Sequence, residues 1–488
     1  MITVQLNRAD FEYDIHSLVK AFFPAEDVLV GVGEQPAEEE ISFHIVTNYR
    51  KDSIEIMVMP QGEPSERVSH TVRVDFSDRK ETKNRLKRAY YQLLRTYTQK
   101  DLPWGTLTGI RPVKIPVAFL EEGKSENEIR DFMKQTYFVS EEKIGLSIEV
   151  AEREHALLKK LDYENGYSLY VGIPFCPSTC LYCSFTSFPL SMWNERVDAY
   201  LDALEKEINF TAEHFAGKRL NSIYIGGGTP TTLTPKQLKR LMGMLRAGFD
   251  FSGCLEFTVE AGRPDSITRE KLAVLRSEGI SRISINPQTM NDKTLEIIGR
   301  RHTAQQTIES FYLARELGFD NINMDVIVGL PGETLSDVEV TMQKIAELAP
   351  DNLTVHSLAL KRAARLKMQW DAYQNMTYEN TDQTIRLTAD YAGQMGLVPY
   401  YLYRQKNMAG NFENVGYAKP GKEGIYNILI MEEVQTIAAC GAGSISKRLD
   451  PDGKIERCEN VKDVAQYIGR IDEMIERKRV LFGESYLK

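Results

Sequence analysis

Three cysteines stand within eight residues, Cys176-Pro-Ser-Thr-Cys180-Leu-Tyr-Cys183, directly after the apolar run Leu169-Tyr170-Val171-Gly172-Ile173-Pro174-Phe175. The run reads as a strand, so the thiols share one tight loop at its carboxyl end. Three thiolates hold three corners of a four-iron cluster and leave one iron without a protein ligand, whereas most cluster proteins supply four cysteines. The alternative is a structural zinc knot. Zinc sites usually join a C-x2-C pair to a second pair or to histidines further along. Here Cys254, Cys440 and Cys458 are scattered singly, and no histidine follows at finger spacing. The C-x3-C-x2-C spacing favours the cluster.

A length of 488 residues suggests about three domains. With 42% hydrophobic and 26% charged residues, the composition is that of an ordinary globular protein with ample core. A formal net charge of -9 argues against general affinity for nucleic acid or acidic membranes. Asp10, Glu12 and Asp14 interrupt the first residues, so no signal peptide is expected. No run approaches the ~18 apolar residues that span a bilayer. Six cysteines in so long a chain do not make a disulfide framework. The expected compartment is the reducing cytoplasm, at low oxygen if the cluster is air-sensitive.

Residues 1–160 carry no cofactor motif and read as an α+β domain. Ile41–Val46, Ile54–Met59 and Val68–Val74 alternate like strands. Arg79–Tyr97 is helical, with Leu86, Tyr90, Leu93 and Tyr97 on one face. Between Ser77 and Lys100 stand eight Lys/Arg against two Asp/Glu; a solvated helix face is favoured over a nucleic-acid patch. Pro103–Pro112 reads as an ordered loop, and Glu141–Leu161 as a linking helix. Between about 161 and 360 the chain alternates strand and helix six times, with strands at Ser168–Ile173, Ser222–Ile225, Leu255–Glu260, Arg282–Asn286, Asn321–Val328 and Asn352–Ser357. This pattern predicts an α/β core with a parallel sheet. Six units are too few for a closed eight-fold barrel and suit an open (β/α)6 partial barrel with ligands at the carboxyl ends of its strands. Residues 361–488 form a third, α+β region: basic Lys361–Gln369, a helix at Thr381–Met395, a loop at Asn407–Gly424, then strands and a helix near Val464–Glu476.

The remaining motifs fall at those strand ends. Gly226-Gly227-Gly228-Thr229-Pro230 follows the second strand, where glycines let the backbone approach a ligand closely. It is not G-x-G-x-x-G, so a dinucleotide site is not supported. Glu260 ends the third strand and suits an ammonium partner. Gln288 follows the fourth, with an amide that donates and accepts. Arg300 lies in Gly299-Arg300-Arg301-His302-Thr303, and its fork suits a carboxylate. Asp325 interrupts the apolar fifth strand, and a charge there needs a partner; ribose hydroxyls would serve. Arg362, Arg365, Arg404 and Lys406 are candidates for anionic substrate groups, with solvated surface the favoured reading.

In combination these motifs resemble the oxygen-independent coproporphyrinogen III oxidase (HemN-like, class C) family of radical S-adenosylmethionine (SAM) enzymes. The resemblance is dense over 165–360 and loose over 395–450. The long N-terminal region and Ser357-Leu-Ala-Leu-Lys-Arg362 are most similar to the HemZ branch. The resemblance implies that Cys176, Cys180 and Cys183 ligate a [4Fe-4S] cluster. It implies that Tyr170 and Tyr182 sit beside the cluster, and that Gly227, Gly228, Thr229, Glu260, Gln288, Arg300 and Asp325 bind one or two SAM, with Tyr170 and Glu260 nearest the chemistry. One electron, from a donor such as flavodoxin or ferredoxin, then cleaves SAM to methionine and a 5′-deoxyadenosyl radical. In the founding enzyme that radical takes hydrogen from a tetrapyrrole propionate, carbon dioxide leaves, a vinyl group remains and an acceptor takes the spare electron.

The founding oxidases carry a fourth cysteine where this chain has Phe185 and a histidine where it has Gly172. The heme-chaperone branch carries a C-terminal His-Asn-x-x-Tyr-Trp motif; the corresponding stretch here is Tyr426-Asn427-Ile428-Leu429-Ile430-Met431. The resemblance keeps coproporphyrinogen oxidation as the leading expectation, although the positions of Phe185 and Gly172 depart from the founding oxidases. The alternatives are heme binding or trafficking on the same scaffold, and methyl transfer or heme degradation.

Overall fold

The structure, a computed structural model, describes residues 1–24, 26–33, 43–60, 68–359, 364–368, 373, 376, 380–405 and 412–483. The chain divides into two compact units, Met1–Glu152 with Leu402–Glu413, and Arg153–Tyr401 with Asn414–Lys488.

In the first unit, β1 (Ile2–Leu6), β2 (Val28–Val32), β3 (Phe43–Tyr49), β4 (Ser53–Pro60) and β5 (Val68–Arg73) form one sheet in the order β2-β1-β3-β4-β5. Strands β3 to β5 are an antiparallel meander, and β1 runs parallel to both its neighbours. Alternation decides which face is buried: Phe43, Ile45, Thr47 and Tyr49 point inward from β3. The helices Glu12–Phe22 and Arg79–Thr98 bury Leu18, Phe22, Leu86 and Tyr90 in the same core. The sequence signalled the meander and the second helix but not β1 and β2. These are five-residue runs, and β1 is buried at nearly every position, so it lacks the alternation that marks a strand. The basic helix is a solvated face, its charges paired as Arg79–Asp10, Arg85–Glu81, Arg88–Glu81 and Arg95–Asp101. The Pro103–Pro112 loop is ordered by Trp104, which is buried and donates its indole N–H to Glu413 Oε2 at 2.7 Å.

The second unit is built on one open sheet. Its strands are β6 (Gly166–Ile173), β9 (Arg219–Gly227), β10 (Glu256–Gly262), β11 (Arg282–Ile285), β12 (Ile322–Val328), β13 (Asn352–Ser357), β14 (Val398–Tyr403), β15 (Asn414–Ala418), β16 (Thr436–Cys440), β17 (Ile445–Leu449) and β18 (Ile455–Glu459). The short strands β7 (Phe175–Cys176) and β8 (Phe188–Pro189) pair separately across the cysteine loop. The order is β14-β15-β13-β12-β11-β10-β9-β6-β16-β17-β18. The six expected βα strands pair in parallel from β6 to β13. They are near-continuous apolar runs because helices cover them; Val197–His214, for example, buries Val197, Leu201, Leu204 and Ile208.

Residues 361–488, expected as a separate region, extend this sheet at both edges. β15 lies antiparallel to β13, and β16 adds a seventh parallel strand beside β6. Part of the expected loop at 407–424 is therefore β15; residues 407–411 lie outside the described residues. After Gly424 comes the helix Ile425–Glu432 before any strand, and the terminal helix is two, Val464–Gly469 and Ile471–Phe482. A buried ion pair fixes the β6–β16 seam. Glu207 and Lys478 are both shut from solvent. Burying two charges is costly unless further donors complete the shell, and Glu207 also accepts from Gly441 N at 2.7 Å, Asn460 Nδ2 at 2.7 Å and the Tyr467 hydroxyl. The end of β16 is thereby held against Gly172, beside the exit to the cysteine loop.

Candidate functional site

The cysteine loop leaves β6 and is pinned from neighbouring strand ends. Leu181 N donates to Ile298 O at 2.9 Å, and Ser178 Oγ donates to Gly299 O at 2.8 Å. Arg263, three residues past Glu260, donates through one terminal nitrogen to Ser178 O (2.9 Å) and Ser178 Oγ (2.8 Å) and stands 4.0 Å from Cys180 Sγ. Arg300 approaches the same thiol and the Tyr182 hydroxyl, and donates to Asn286 O at 2.5 Å. Cys176 Sγ lies 3.5 Å from Thr229 Oγ1, and Cys183 Sγ 4.0 Å from Ser187 Oγ. Burial pushes the Cys176 thiol up to about 11 and raises that of Cys183. A metal centre must therefore displace protons to bind here. Among the described residues no three His, Cys, Asp or Glu side chains converge on a single ion position.

The glycine turn is brought directly onto this loop. Gly228 N donates to Ile173 O at 2.8 Å, and Thr229 N to Phe175 O at 2.7 Å. A Cβ at Gly228 would meet Phe175 O at 2.6 Å and Ile173 O at 2.8 Å. Glycine at 228 is thus demanded by the protein's own backbone. Gly227 has φ +102°, in the left-handed region, and its N–H points at the Glu260 carboxylate.

Glu260 sits under the turn. It accepts from the Tyr224 hydroxyl as well as from Gly227 N–H. Desolvation lifts its pKa to about 7, with the Asp325 charge adding to the rise and Arg282 opposing it. Tyr224 belongs to a stack of three rings. Its centroid lies 4.6 Å from that of Tyr426 and 6.2 Å from that of Tyr170, at interplanar angles of 21° and 12°. Burial raises the pKa of all three phenols.

Gln288 is buried and held at φ +68° by two backbone bonds to β12: its N–H to Asp325 O and Ile327 N–H to its own carbonyl, both 2.9 Å. A left-handed glutamine costs about 1–3 kcal/mol, strain that collects at functional sites. Asp325 already has protein partners. Asn323 Nδ2 donates to it at 2.7 Å and His356 Nε2 stands 3.8 Å away. Although burial works the other way, these neighbours and Arg282 hold its carboxyl below the usual range.

The expected site residues gather at the strand ends, with one difference. Arg300 directs its fork at the cysteine loop and Asn286, leaving only Nε without a partner. Ser284 Oγ and Asn286 Oδ1 are likewise buried and unpartnered. Orphaned buried polar atoms of this kind are satisfied by a bound polar group, so the residues present fit a polar cofactor. Sequence reasoning missed Arg263, Tyr224, Arg282, His356 and Tyr426. A strand tyrosine, or an arginine in Gly262-Arg263-Pro264-Asp265, carries no signal until the strands are aligned. Of the candidate substrate cations, Arg365 is exposed, and Arg404 is buried and donates to Leu107 O at 2.6 Å. Arg362 and Lys406 lie outside the described residues. No helix among those residues is long and apolar enough to cross a membrane.

Residues 170–345 match the radical SAM superfamily. The chain is 42% identical over 404 residues to the oxygen-independent coproporphyrinogen-III oxidase-like protein HemZ of Bacillus subtilis, covering 82% of this chain and 81% of that one. It is also 42% identical over 195 residues to the heme chaperone HemW of Bacillus subtilis, where it spans about half of that protein (51%) and 40% of this chain. Among solved structures, coproporphyrinogen III oxidase (HemN) from Escherichia coli, a radical SAM enzyme, superposes with a TM-score of 0.51 at 28% identity, over 66% of this chain and 73% of that one. The cofactors that go with this family are a [4Fe-4S] cluster and SAM. The chain belongs to the radical SAM superfamily, in its HemN/HemZ-like, coproporphyrinogen oxidase-like family.

Proposed function

We propose that this chain is an oxidoreductase that removes hydrogen from the propionate side chains of coproporphyrinogen III, with loss of carbon dioxide and transfer of the remaining electron to a one-electron acceptor. The observation that carries the reading is the shared edge β6-β9-β10. The three-cysteine loop leaves β6, the Gly226–Thr229 turn leaves β9 and bonds back onto β6, and Glu260 leaves β10 beneath the turn. Cys176, Cys180 and Cys183 hold three irons of the cluster. When bound, the reduced cluster and SAM would supply the one-electron chemistry that abstracts hydrogen from the substrate. Glu260, oriented by Tyr224 and Gly227 N–H, receives the SAM ammonium, and Tyr170 closes the floor under Gly227. Gly228 and Thr229 set the turn. Gln288 and Asp325 would hold the ribose hydroxyls, Asp325 steadied by Asn323 and His356. Arg300 holds the cysteine loop and would offer Nε to the SAM carboxylate, and Tyr182 would lie beside the cluster. A flavodoxin or ferredoxin supplies the electron, and the cytoplasm is the compartment.

Anaerobic incubation of the rebuilt protein with reductant, SAM and coproporphyrinogen tests the substrate. The expected product is lighter by two carbon dioxides, with 5′-deoxyadenosine formed alongside. SAM turnover with an unchanged porphyrin overturns the substrate and leaves the cofactor chemistry standing. The HemW likeness favours a second reading, heme trafficking, and a heme absorption band with little SAM turnover is its result. Against it, Tyr426 offers a phenol stacked on Tyr224 where the chaperone motif has an imidazole.

A pH dependence follows from Glu260. Its carboxyl, raised from 4.5 to about 7 in the ligand-free fold, keeps a proton that the unfolded chain loses between those values. This group's contribution to stability is therefore full below pH 4.5 and declines as pH rises to about 7. A cation seated on Glu260 expels the proton. SAM affinity should thus climb from about pH 5 to pH 7, by at most about tenfold per unit, and then level off. Binding isotherms across that range check it, and Glu260→Gln should flatten the slope. A parent slope already flat contradicts the assignment of Glu260 to the ammonium.

A further inference from the structure

We propose that Arg263 is a positioning residue for the cysteine loop that also sets the reduction potential of the cluster held there, with Asp265 as the counter-charge that limits its effect. The proposal rests on the three-cysteine reading above. The guanidinium is divided between two tasks. One terminal nitrogen faces the loop: it donates to Ser178 O and Ser178 Oγ at 2.9 and 2.8 Å and stands 4.0 Å from Cys180 Sγ. The other two nitrogens face away and form a bidentate pair with Asp265, Nε to Oδ1 at 2.9 Å and the second terminal nitrogen to Oδ2 at 2.6 Å. Arg263 is 2% exposed, whereas the Asp265 side chain is 17% exposed. The positive group is thus buried against the thiol, and its negative partner lies on the far side, toward water.

Reduction adds one negative charge to an iron–sulfur cube. Net charge, hydrogen bonds to sulfur and solvent exposure are the terms that set its potential. A cation a few ångströms from one sulfur, in a medium of low dielectric, favours the reduced form. Arg263 supplies that charge and grips the Cys176–Cys180 segment at the same time. A neutral donor would hold Ser178 equally well without the desolvation cost of a buried guanidinium. Because Asp265 is farther from the thiol than Arg263, its screening is partial, and the two residues must act with opposite sign.

Redox titration of the anaerobically rebuilt full chain, followed by electron paramagnetic resonance without SAM and with iron counted in each sample, tests this. At the parent's midpoint, Arg263→Gln should lower the reduced-to-oxidised ratio about tenfold, which is about 59 mV for a one-electron couple. Asp265→Asn should raise the ratio, and Arg263→Lys, which keeps the charge, should stay near the parent. A loaded Arg263→Gln protein with the parent's midpoint overturns the proposal. So do shifts of Arg263→Gln and Asp265→Asn in the same direction. Should Arg263→Gln hold no iron, an unmoved Asp265→Asn midpoint overturns it alone. A parent chain without iron or labile sulfide instead refutes the cluster reading, a distinguishable result.

Discussion

Cys180→Ala should bleach the protein. Iron and labile sulfide are expected to fall to background, and SAM cleavage with them. Cys180 is the middle of the three thiols and the one both guanidiniums approach. Its loss leaves two thiolates, and the loop's remaining contacts, through Ser178 and Leu181, hold backbone and offer no replacement sulfur. The matched control is Cys254→Ala. That thiol donates to Glu256 O at 3.3 Å and precedes the amino end of β10, away from the carboxyl ends where the cysteine loop lies, so its loss should leave iron content unchanged. A brown Cys180→Ala protein with the parent's iron, measured beside that control, would contradict the assignment.

Gly228→Ala should disable the site without touching any chemical group in it. The new methyl would lie 2.6 Å from Phe175 O and 2.8 Å from Ile173 O, both backbone atoms that cannot rotate aside. Relief requires parting the turn from the strand end. That stretches the Gly228–Ile173 and Thr229–Phe175 hydrogen bonds, at 2.8 and 2.7 Å, and moves the root of the cysteine loop. Overpacking costs about 1–3 kcal/mol and each of the two weakened hydrogen bonds about 1 kcal/mol, so roughly 3–5 kcal/mol is expected from them together. Denaturant unfolding should read that loss, and cluster loading should fall with it. Gly243→Ala is the control. It lies in the helix Pro235–Gly248, its Cβ would meet nothing within 4 Å, and alanine there should be neutral or stabilising by up to about 1 kcal/mol. Equal behaviour of the two variants would refute the close-approach account of Gly228.

The βα core was legible because each strand is an apolar run bounded by helix signals. Its motifs were legible because strand ends in a parallel sheet necessarily gather on one side. Gln288 illustrates the limit. Its position after a strand could be read, but its left-handed backbone arises from pairing with β12, which single-sequence reasoning does not see. Arg300 was read as a carboxylate clamp from its chemistry alone, whereas its neighbours Tyr182 and Cys180 come from a distant segment and Asn286 from the end of the preceding strand. The stack of Tyr170, Tyr224 and Tyr426 joins β6, β9 and the Ile425–Glu432 helix, three stretches with no shared local pattern. The seventh parallel strand, β16, escaped for a related reason: its partner lies more than two hundred residues earlier, and Thr436–Cys440 is too short to declare a direction.

The central claim is that three cysteines hold a four-iron cube whose fourth iron is open to SAM. Mössbauer spectroscopy of the chain rebuilt with iron-57, before and after adding SAM, tests it most directly. The account predicts a cube in which one iron of the four changes its signal when SAM binds, while the three thiolate-bound irons keep theirs. A chain that takes up no iron and sulfide, or a cube whose four irons all stay unchanged by SAM, would contradict it.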